Sequence, residues 1–297
     1  MARTAAQRYL REGFGDRMLD IAIKFIMLIV LLVTVYPFIH MFAVSVSLPG
    51  EVIKNKVTFY PIGFTTAAYR LVFGNQDFLR SYLNTILYTL IGVTINLVMT
   101  ILTAYPLSRP KFLGKQIFLR LIVFTMLFSG GTIPAYILVM NLGLIDKIGA
   151  VVLPVAINTF NLMILRASFQ SMPEELEEAA KIDGCNDLQI LIKVFLPLCK
   201  TILMTIGLFY AVSHWNAFMI PFLYLNTRAK FPVQILLRSL LITGEMQDYA
   251  SAISHEIVIS QTIKYTTVIV STLPIVMVYP FIQRYFTKGV LLGSIKG

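Results

Sequence analysis

The sequence predicts an all-α membrane protein with six transmembrane helices, and three observations support this prediction. Of the 297 residues, 57% are hydrophobic and only 13% are charged, whereas soluble domains carry roughly 25% charged residues. The mean hydropathy is +0.76. Several apolar runs also approach or exceed the roughly 20 residues that a helix needs to cross a bilayer.

The apolar runs give the order of the segments. A basic segment, 1–24, precedes a membrane domain, 25–285, and a tail, 286–297, follows it. A glycine pair and a proline within 129–134 predict a break in the third span and then a short helix, because both residue types interrupt helices. The six predicted spans are 25–46, 81–106, 117–133, 148–165, 201–225 and 265–285.

Positive charge predicts the orientation in the membrane. The net charge is +10, which in a soluble protein can indicate nucleic-acid binding. Here most of the 25 Lys and Arg residues flank the span ends that share a side with the termini, and loops rich in Lys and Arg stay in the cytoplasm. Both termini and the acidic segment 171–197 are therefore expected on the cytoplasmic side of the cell membrane, and no nucleic-acid partner is expected.

The sequence argues against an enzyme and against an ion-coupled transporter. None of the predicted spans contains Asp or Glu, the residues that commonly relay protons or bind cations inside membranes. No GxxxxGK[ST] phosphate loop is present, so the chain is not expected to hydrolyse ATP. The three histidines and two cysteines lack the spacing of metal ligands, so neither a catalytic residue nor a metal site is predicted.

Uncharged polar residues inside the spans leave two interpretations open. They can hydrogen-bond between helices and hold the bundle together. Alternatively, they line a pathway in which amides bind sugar hydroxyls and an aromatic ring contacts the apolar face of a sugar. For Trp215, placement at the membrane interface is a competing interpretation. The candidate pathway residues are Asn84, Asn158, Asn161, His214, Trp215 and Asn216, and Asn96 and Ser213 are polar span residues of the same kind.

The acidic segment predicts two short helices joined at a glycine. Ser171 and Glu174 have the spacing of a capping box at the start of the first helix. Gly184 is well placed to end that helix in a left-handed conformation, and Asn186 or Asp187 can cap the second helix. By pattern alone, the segment is also typical of an ordinary amphipathic helix in a loop.

The spacing within this segment resembles the EAA signature of ABC importer permeases. The signature reads EAA, three residues, G, nine residues and I-x-L-P, and Val194 in place of Ile is the one departure. Further segments are similar to the carbohydrate-uptake branch of maltose type, and most of all to its permeases for complex oligosaccharides, of the lipoprotein/polysaccharide-permease type. These segments are 84–85, 104–109, 128–136, 215–216 and 293–297.

The resemblance implies a type I ABC importer permease fold with a cytoplasmic coupling helix that docks on an ATPase. Glu178 would pair with a basic residue of that ATPase, and small residues would let the helix seat closely. The implied coupling residues are Glu178, Ala179, Ala180, Asp183, Gly184, Val194, Leu196 and Pro197. The tail residues Gly293, Ser294, Ile295, Lys296 and Gly297 are also expected to contact the ATPases.

The same resemblance implies the partners. They are a second homologous permease, expected to be a different chain, an ATPase dimer that carries the ATP and Mg²⁺, and a solute-binding protein that delivers an oligosaccharide. The chain itself is expected to hold no cofactor. The alternative is a membrane scaffold that recruits a cytosolic partner through its acidic segment without transport.

Overall fold

The computed structural model describes residues 14–110, 112–242 and 258–293. This part of the chain is built from helices and contains no β-strand, in agreement with the predicted all-α class. It divides into two compact units. The described residues of the first unit are 14–74 and 258–269, and those of the second are 75–242 and 270–293.

The helices are numbered in chain order. The first eight are α1 Phe14–Ser45, α2 Pro49–Ile53, α3 Ala67–Gly74, α4 Gln76–Ser108, α5 Lys115–Leu127, α6 Thr132–Asn141, α7 Ile148–Val152 and α8 Thr159–Gln170. The others are α9 Glu174–Ile182, α10 Asp187–Ile190, α11 Leu196–Leu198, α12 Lys200–Trp215, α13 Met219–Tyr224, α14 Val233–Ile242 and α15 Val258–Gly293. Turns of 3-10 helix cover Leu153–Val155 and Arg228–Lys230, and a π-helical turn covers Leu191–Phe195.

Three single helices in the described ranges are long and apolar enough to cross a membrane. They are Gly15–Ser45, Gln76–Ser108 and Gln261–Val278. Three further pairs of helices meet the same criterion together but are bent at a short break. The bend is 117° between α5 and α6, 54° between Ile148–Val155 and α8, and 84° between Asp187–Leu198 and α12. Counted as one span each, the bent pairs bring the number up to six.

Two predicted spans are less continuous than the hydropathy of the sequence suggests. The fourth is interrupted at 156–158, because Asn158 caps a new helix there instead of continuing the old one. In the fifth, α12 ends at Trp215, and α13 follows as a separate short helix. Both breaks lie in apolar sequence, so hydropathy alone does not reveal them.

The first unit packs the C-terminal end of α1 against α2 and the loop that follows it. Ser47 fixes this turn, since its hydroxyl donates to the carbonyl of Ala43 (2.6 Å) and accepts from the backbone N–H of Ile62 (3.0 Å). Along its apolar window, α1 buries no residue within this chain. The buried cluster consists of Ala43, Val44, Val52 and Val57.

In the second unit, α8 and α12 pack along α4. With 33 residues, α4 is about 50 Å long at 1.5 Å per residue. Its C-terminal part joins a tightly packed core that also includes the segment between the fourth and fifth spans. The largest fully buried apolar side chains of this core are Phe169, Phe195, Leu162, Leu165, Ile190 and Ile206.

Candidate functional site

The break in the fourth span leaves backbone groups that need partners inside the membrane. The Asn158 side-chain oxygen accepts from the N–H of Asn161 (3.1 Å). The N–H of Asn158 donates to the hydroxyl of Tyr210 (3.0 Å), and the side-chain amide of Asn96 donates to the carbonyl of Val155 (2.8 Å). Polar side chains from α4 and α12 therefore stabilise the interrupted backbone.

Beside this break lies a cavity of about 440 Å³ between α4, α8 and α12. None of its described lining residues is Asp, Glu, Lys or Arg. Three of the six predicted pathway residues, Asn158, Asn161 and His214, meet here. The lining is formed by Asn96, Pro154, Val155, Ile157, Asn158, Phe160, Asn161, Phe209, Tyr210, Ser213 and His214.

His214 is held closely in the wall of the cavity. It is 7% exposed, and its Nε2 lies 3.4 Å from the side-chain oxygen of Asn96. Because the Asn96 amide nitrogen is committed to Val155, the oxygen is left as the acceptor, and Nε2 of His214 is the donor. The ring also lies against Gly92, where a Cβ atom would come within 2.4 Å of Nε2.

Asn161 is the cavity residue best suited to bind a ligand. It is 4% exposed, and its side-chain amide has no hydrogen-bond partner among the residues that the structure describes. An amide offers two donors and one acceptor oxygen. The aromatic rings of Phe160 and Phe209 line the same space, so hydrogen-bonding groups and apolar ring faces occur together.

The sequence prediction missed Tyr210, Phe160 and Phe209. Tyr210 precedes His214 by four residues, and residues four apart share one face of a helix. Helical spacing from His214 would therefore have found Tyr210. The position of Phe160 depends on the break in the fourth span, which the sequence pattern does not show.

The other three predicted pathway residues do not line the cavity. The amide of Asn84 donates to the carbonyls of Ala229 (2.8 Å) and Phe231 (3.2 Å). The indole N–H of Trp215, which is 7% exposed, donates to the carbonyl of Ser271 (3.0 Å). The amide of Asn216 donates to the carbonyl of Val212 at the end of α12 (3.0 Å). These contacts match the packing interpretation, and a pathway role for these residues stays a prediction.

A polar cluster joins the loop after α6 to the loop after α13. Asp146, at φ 62°, accepts from the backbone N–H groups of Asn226 and Thr227 (3.0 Å each). It also accepts from the Thr227 hydroxyl and the Lys230 ammonium (2.7 Å each). The bonds from Lys230 and then from Thr227 and Asn226 hold the pKa of Asp146 well below its usual range.

This cluster predicts a specific pH dependence of stability. A carboxyl whose pKa is lower in the folded state stabilises the fold above its unfolded pKa of about 3.9 and loses that contribution as the pH falls. We expect Asp146→Asn to lower the melting temperature at pH 7, whereas Asp77→Asn, which removes a more exposed pair with Arg228, changes it less. Thermal unfolding of the purified protein between pH 7 and pH 3 measures this. A difference from wild type that grows as the pH falls would contradict it.

The acidic segment forms the predicted helix–glycine–helix. Gly184 has φ of 79°. Asn186 caps α10 in a capping box with Gln189, with bonds of 2.8 and 3.0 Å. The predicted capping box of Ser171 and Glu174 is wrong, because Ser171 ends α8 and its hydroxyl donates to the carbonyl of Ser168 (2.8 Å).

The coupling residues differ in their exposure. Two of them are half-buried against the core, Val194 and Leu196. Five are exposed, namely Glu178, Ala179, Asp183, Gly184 and Pro197. Ala180 is 8% exposed and packs into the core of its own chain, and its seating on an ATPase stays a prediction. Beside Gly184, the apolar Ile182 is 86% exposed.

Basic residues gather where α4 ends beside α9. The ammonium of Lys115 donates to the carbonyl of Arg109 (3.2 Å), and the guanidinium of Arg166 donates to the carbonyl of Leu107 (3.0 Å). Burial alone raises the pKa of Glu177, but hydrogen bonds from Lys181 and Arg109 outweigh it and hold that pKa below its ordinary value.

The predicted contact between the C-terminal tail and the ATPases falls largely on residues 294–297, which lie outside the described residues. Gly293 is the last residue of α15.

Comparison with known proteins places these features in a family. The family described as binding-protein-dependent transport system inner membrane component matches residues 60–292. The polygalacturonan/rhamnogalacturonan transport system permease protein YtcP of Bacillus subtilis is 45% identical over 287 residues, 95% of this chain and 99% of the relative. Protein LplC of the same organism is 41% identical over 266 residues, 89% of this chain and 90% of the relative.

A solved structure is also similar. A chain from the crystal structure of a bacterial ABC transporter involved in the import of the acidic polysaccharide alginate superimposes with a TM-score of 0.89. The sequence identity is 34%, and the match covers 93% of this chain and 99% of that chain.

Proposed function

Since the chain belongs to the family of binding-protein-dependent transport system inner membrane components, we propose that it forms one half of the pathway by which an ABC importer takes up an oligosaccharide. It is a permease, a transport subunit and not an enzyme. ATP hydrolysis therefore belongs to separate subunits, which hold the ATP and Mg²⁺.

The chemistry of the cavity between α4, α8 and α12 supports a sugar as the solute. Sugars present many hydroxyls and an apolar ring face, and the lining offers amides, hydroxyls and aromatic rings in a space of about 440 Å³. Interrupted helices near the membrane midplane are a common setting for substrate sites in transporters. The uncommitted amide of Asn161 is the observation that most favours this site.

The names of the relatives suggest the class of sugar. Polygalacturonan, in the name of YtcP, and the acidic polysaccharide alginate, in the description of the solved transporter, are both anionic polymers. Acidic oligosaccharides are therefore the first class to test. The cavity has no basic side chain among its described lining residues, so recognition of carboxylates there would use neutral donors.

The acidic segment supports the proposed partners. It carries the EAA spacing, and Glu178, Asp183 and Gly184 are exposed, as is the neighbouring apolar Ile182. We place this surface and both termini in the cytoplasm, against an ATPase dimer. A second homologous permease would complete the pathway, and a solute-binding protein would deliver the sugar from outside.

Reconstitution tests this function. The chain is incorporated into proteoliposomes with the second permease and the ATPase, and ATP hydrolysis is measured with and without binding protein and oligogalacturonide. We expect stimulation only when both are present, and sugar uptake that stops without ATP but survives an ionophore. ATP hydrolysis that never responds would favour the scaffold alternative. Uptake that stops with the ionophore would favour an ion-coupled transporter.

Asn161 and Asn216 form a matched pair for testing the cavity. Asn161→Ala removes the side-chain amide of a residue that lines the cavity, whereas Asn216→Ala removes an amide that lies outside the lining and donates to the end of α12. We expect Asn161→Ala to raise the KM for uptake about five- to tenfold, as for the loss of about 1 kcal/mol of hydrogen bonding, and Asn216→Ala to leave it near wild type. Equal KM values for the two variants would contradict a sugar contact at Asn161.

A further inference from the structure

Arg109 is the residue that joins the end of α4 to the coupling helix α9. One guanidinium nitrogen donates to the carboxylate of Glu177 on α9 (2.7 Å), and the other terminal nitrogen donates to the carbonyl of Phe169 on α8 (2.7 Å). The Arg109 and Glu177 side chains are only 13% and 16% exposed. The pair is therefore mostly buried, unlike most surface ion pairs.

Two further contacts fix the guanidinium in place. Its Nε donates to the hydroxyl of Ser108 (3.0 Å), and its Cζ atom lies 4.6 Å from the ring centre of Phe195, a distance typical of a cation–π contact. Phe195 belongs to the π-helical turn that leads into the fifth span. One side chain thus contacts the ends of α4 and α8, the coupling helix and the start of the fifth span.

Only arginine can make all of these contacts at once. Its planar group carries five donors in a fixed fork, whereas lysine is a single point charge. Lys181 also binds Glu177 (2.5 Å), but it lies on α9 itself and is 45% exposed. Arg166 joins α8 to α4 but has no described contact with α9. Arg109 is therefore the arginine whose contacts span all of these elements in the described part of the chain.

We propose that Arg109 is a positioning residue that transmits the movement of the coupling helix to α4 and α8, and so to the cavity. This inference rests on the proposed function, in which an ATPase moves α9. Without the Arg109 link, the ATPase would still bind and hydrolyse ATP, but the cavity would no longer respond to it.

The test measures the response of the cavity to ATP without needing the sugar. Ser213, which lines the cavity, is replaced by cysteine in a Cys185→Ser background, while buried Cys199 is retained. The complete transporter is labelled with a small maleimide, with and without ATP and vanadate. We expect ATP trapping to change the labelling rate of this parent protein about tenfold, and to do the same when Lys181→Gln or Arg166→Gln is added. When Arg109→Gln is added instead, we expect the rate to change less than about twofold.

Each result has a distinct meaning. ATP hydrolysis by the Arg109→Gln complex should persist, which separates lost transmission from lost assembly. If that variant does not assemble, Arg109→Lys is used. It should give an intermediate change, because a lysine can still pair with Glu177 but cannot also bind the carbonyl of Phe169. An Arg109 variant that responds like Lys181→Gln would overturn the inference. A parent in which ATP changes nothing would overturn the proposed function instead.

Discussion

Gly92→Ala is expected to lower uptake at least about tenfold, whereas the same change at Gly207 leaves it near wild type. A Cβ atom at position 92 would lie 2.4 Å from Nε2 of His214 and 2.6 Å from two ring carbons. At Gly207 it would meet only a methyl group of Leu97, at 3.5 Å, an ordinary contact distance. Both glycines lie inside helices of the same unit, so the comparison isolates the contact with His214.

The imidazole ring must turn away from α4 to make room for the new methyl group. Movement toward the cavity breaks its contact with Asn96 and fills space that the sugar would occupy. Overpacking of this kind typically costs about 1–3 kcal/mol. Gly207→Ala instead removes a glycine from a helix interior, which on average stabilises by about 0.5–1 kcal/mol. We therefore expect the melting temperatures of the two variants to move in opposite directions.

Uptake by reconstituted transporter and thermal unfolding of the same preparations measure both effects. His214→Ala combined with Gly92→Ala is the decisive further variant, because removing the ring removes the collision. The double variant should regain stability relative to Gly92→Ala alone. Equal uptake by the two alanine variants would show that the ring at this position is unrelated to transport.

Sequence alone predicts the features of this protein that depend on local chemistry. Apolar runs indicate where the chain crosses the membrane, because the bilayer demands about 20 apolar residues per helix. The left-handed turn at Gly184 and the cap at Asn186 follow from residue type and spacing within a few positions. The EAA spacing is likewise local, and the family match agrees with it.

Features that depend on neighbouring helices were not predictable in this way. The break at Asn158 is stabilised by Asn96 and Tyr210, which are distant in sequence. The polar span residues look alike in the sequence, yet Asn161 faces a cavity and Asn84 binds loop carbonyls. The capping box predicted at Ser171 also failed, because the hydroxyl of Ser171 donates to the carbonyl of Ser168 on α8 and is not free to cap α9.

Gly184→Asp is expected to lower ATP-driven uptake by about a hundredfold, near the upper end of typical coupling between sites. Gly143→Asp is the matched control. Both glycines follow a helix at positive φ, 79° and 64°, and an added Cβ at either would meet no described atom within 4 Å. Aspartate is among the residues that tolerate this conformation best, so the two variants carry similar backbone strain.

The two sites differ in what lies outside the chain. Gly184 is in the segment proposed to seat on the ATPase, whereas Gly143 follows α6 on the opposite side of the predicted topology. Both variants should show similar small losses of thermal stability, but only Gly184→Asp should lose binding-protein-stimulated ATP hydrolysis and co-purification with the ATPase. Equal losses of uptake in both would trace the defect to backbone strain and not to docking. The close seating of a small residue, inferred from the EAA spacing, would then have to be abandoned for Gly184.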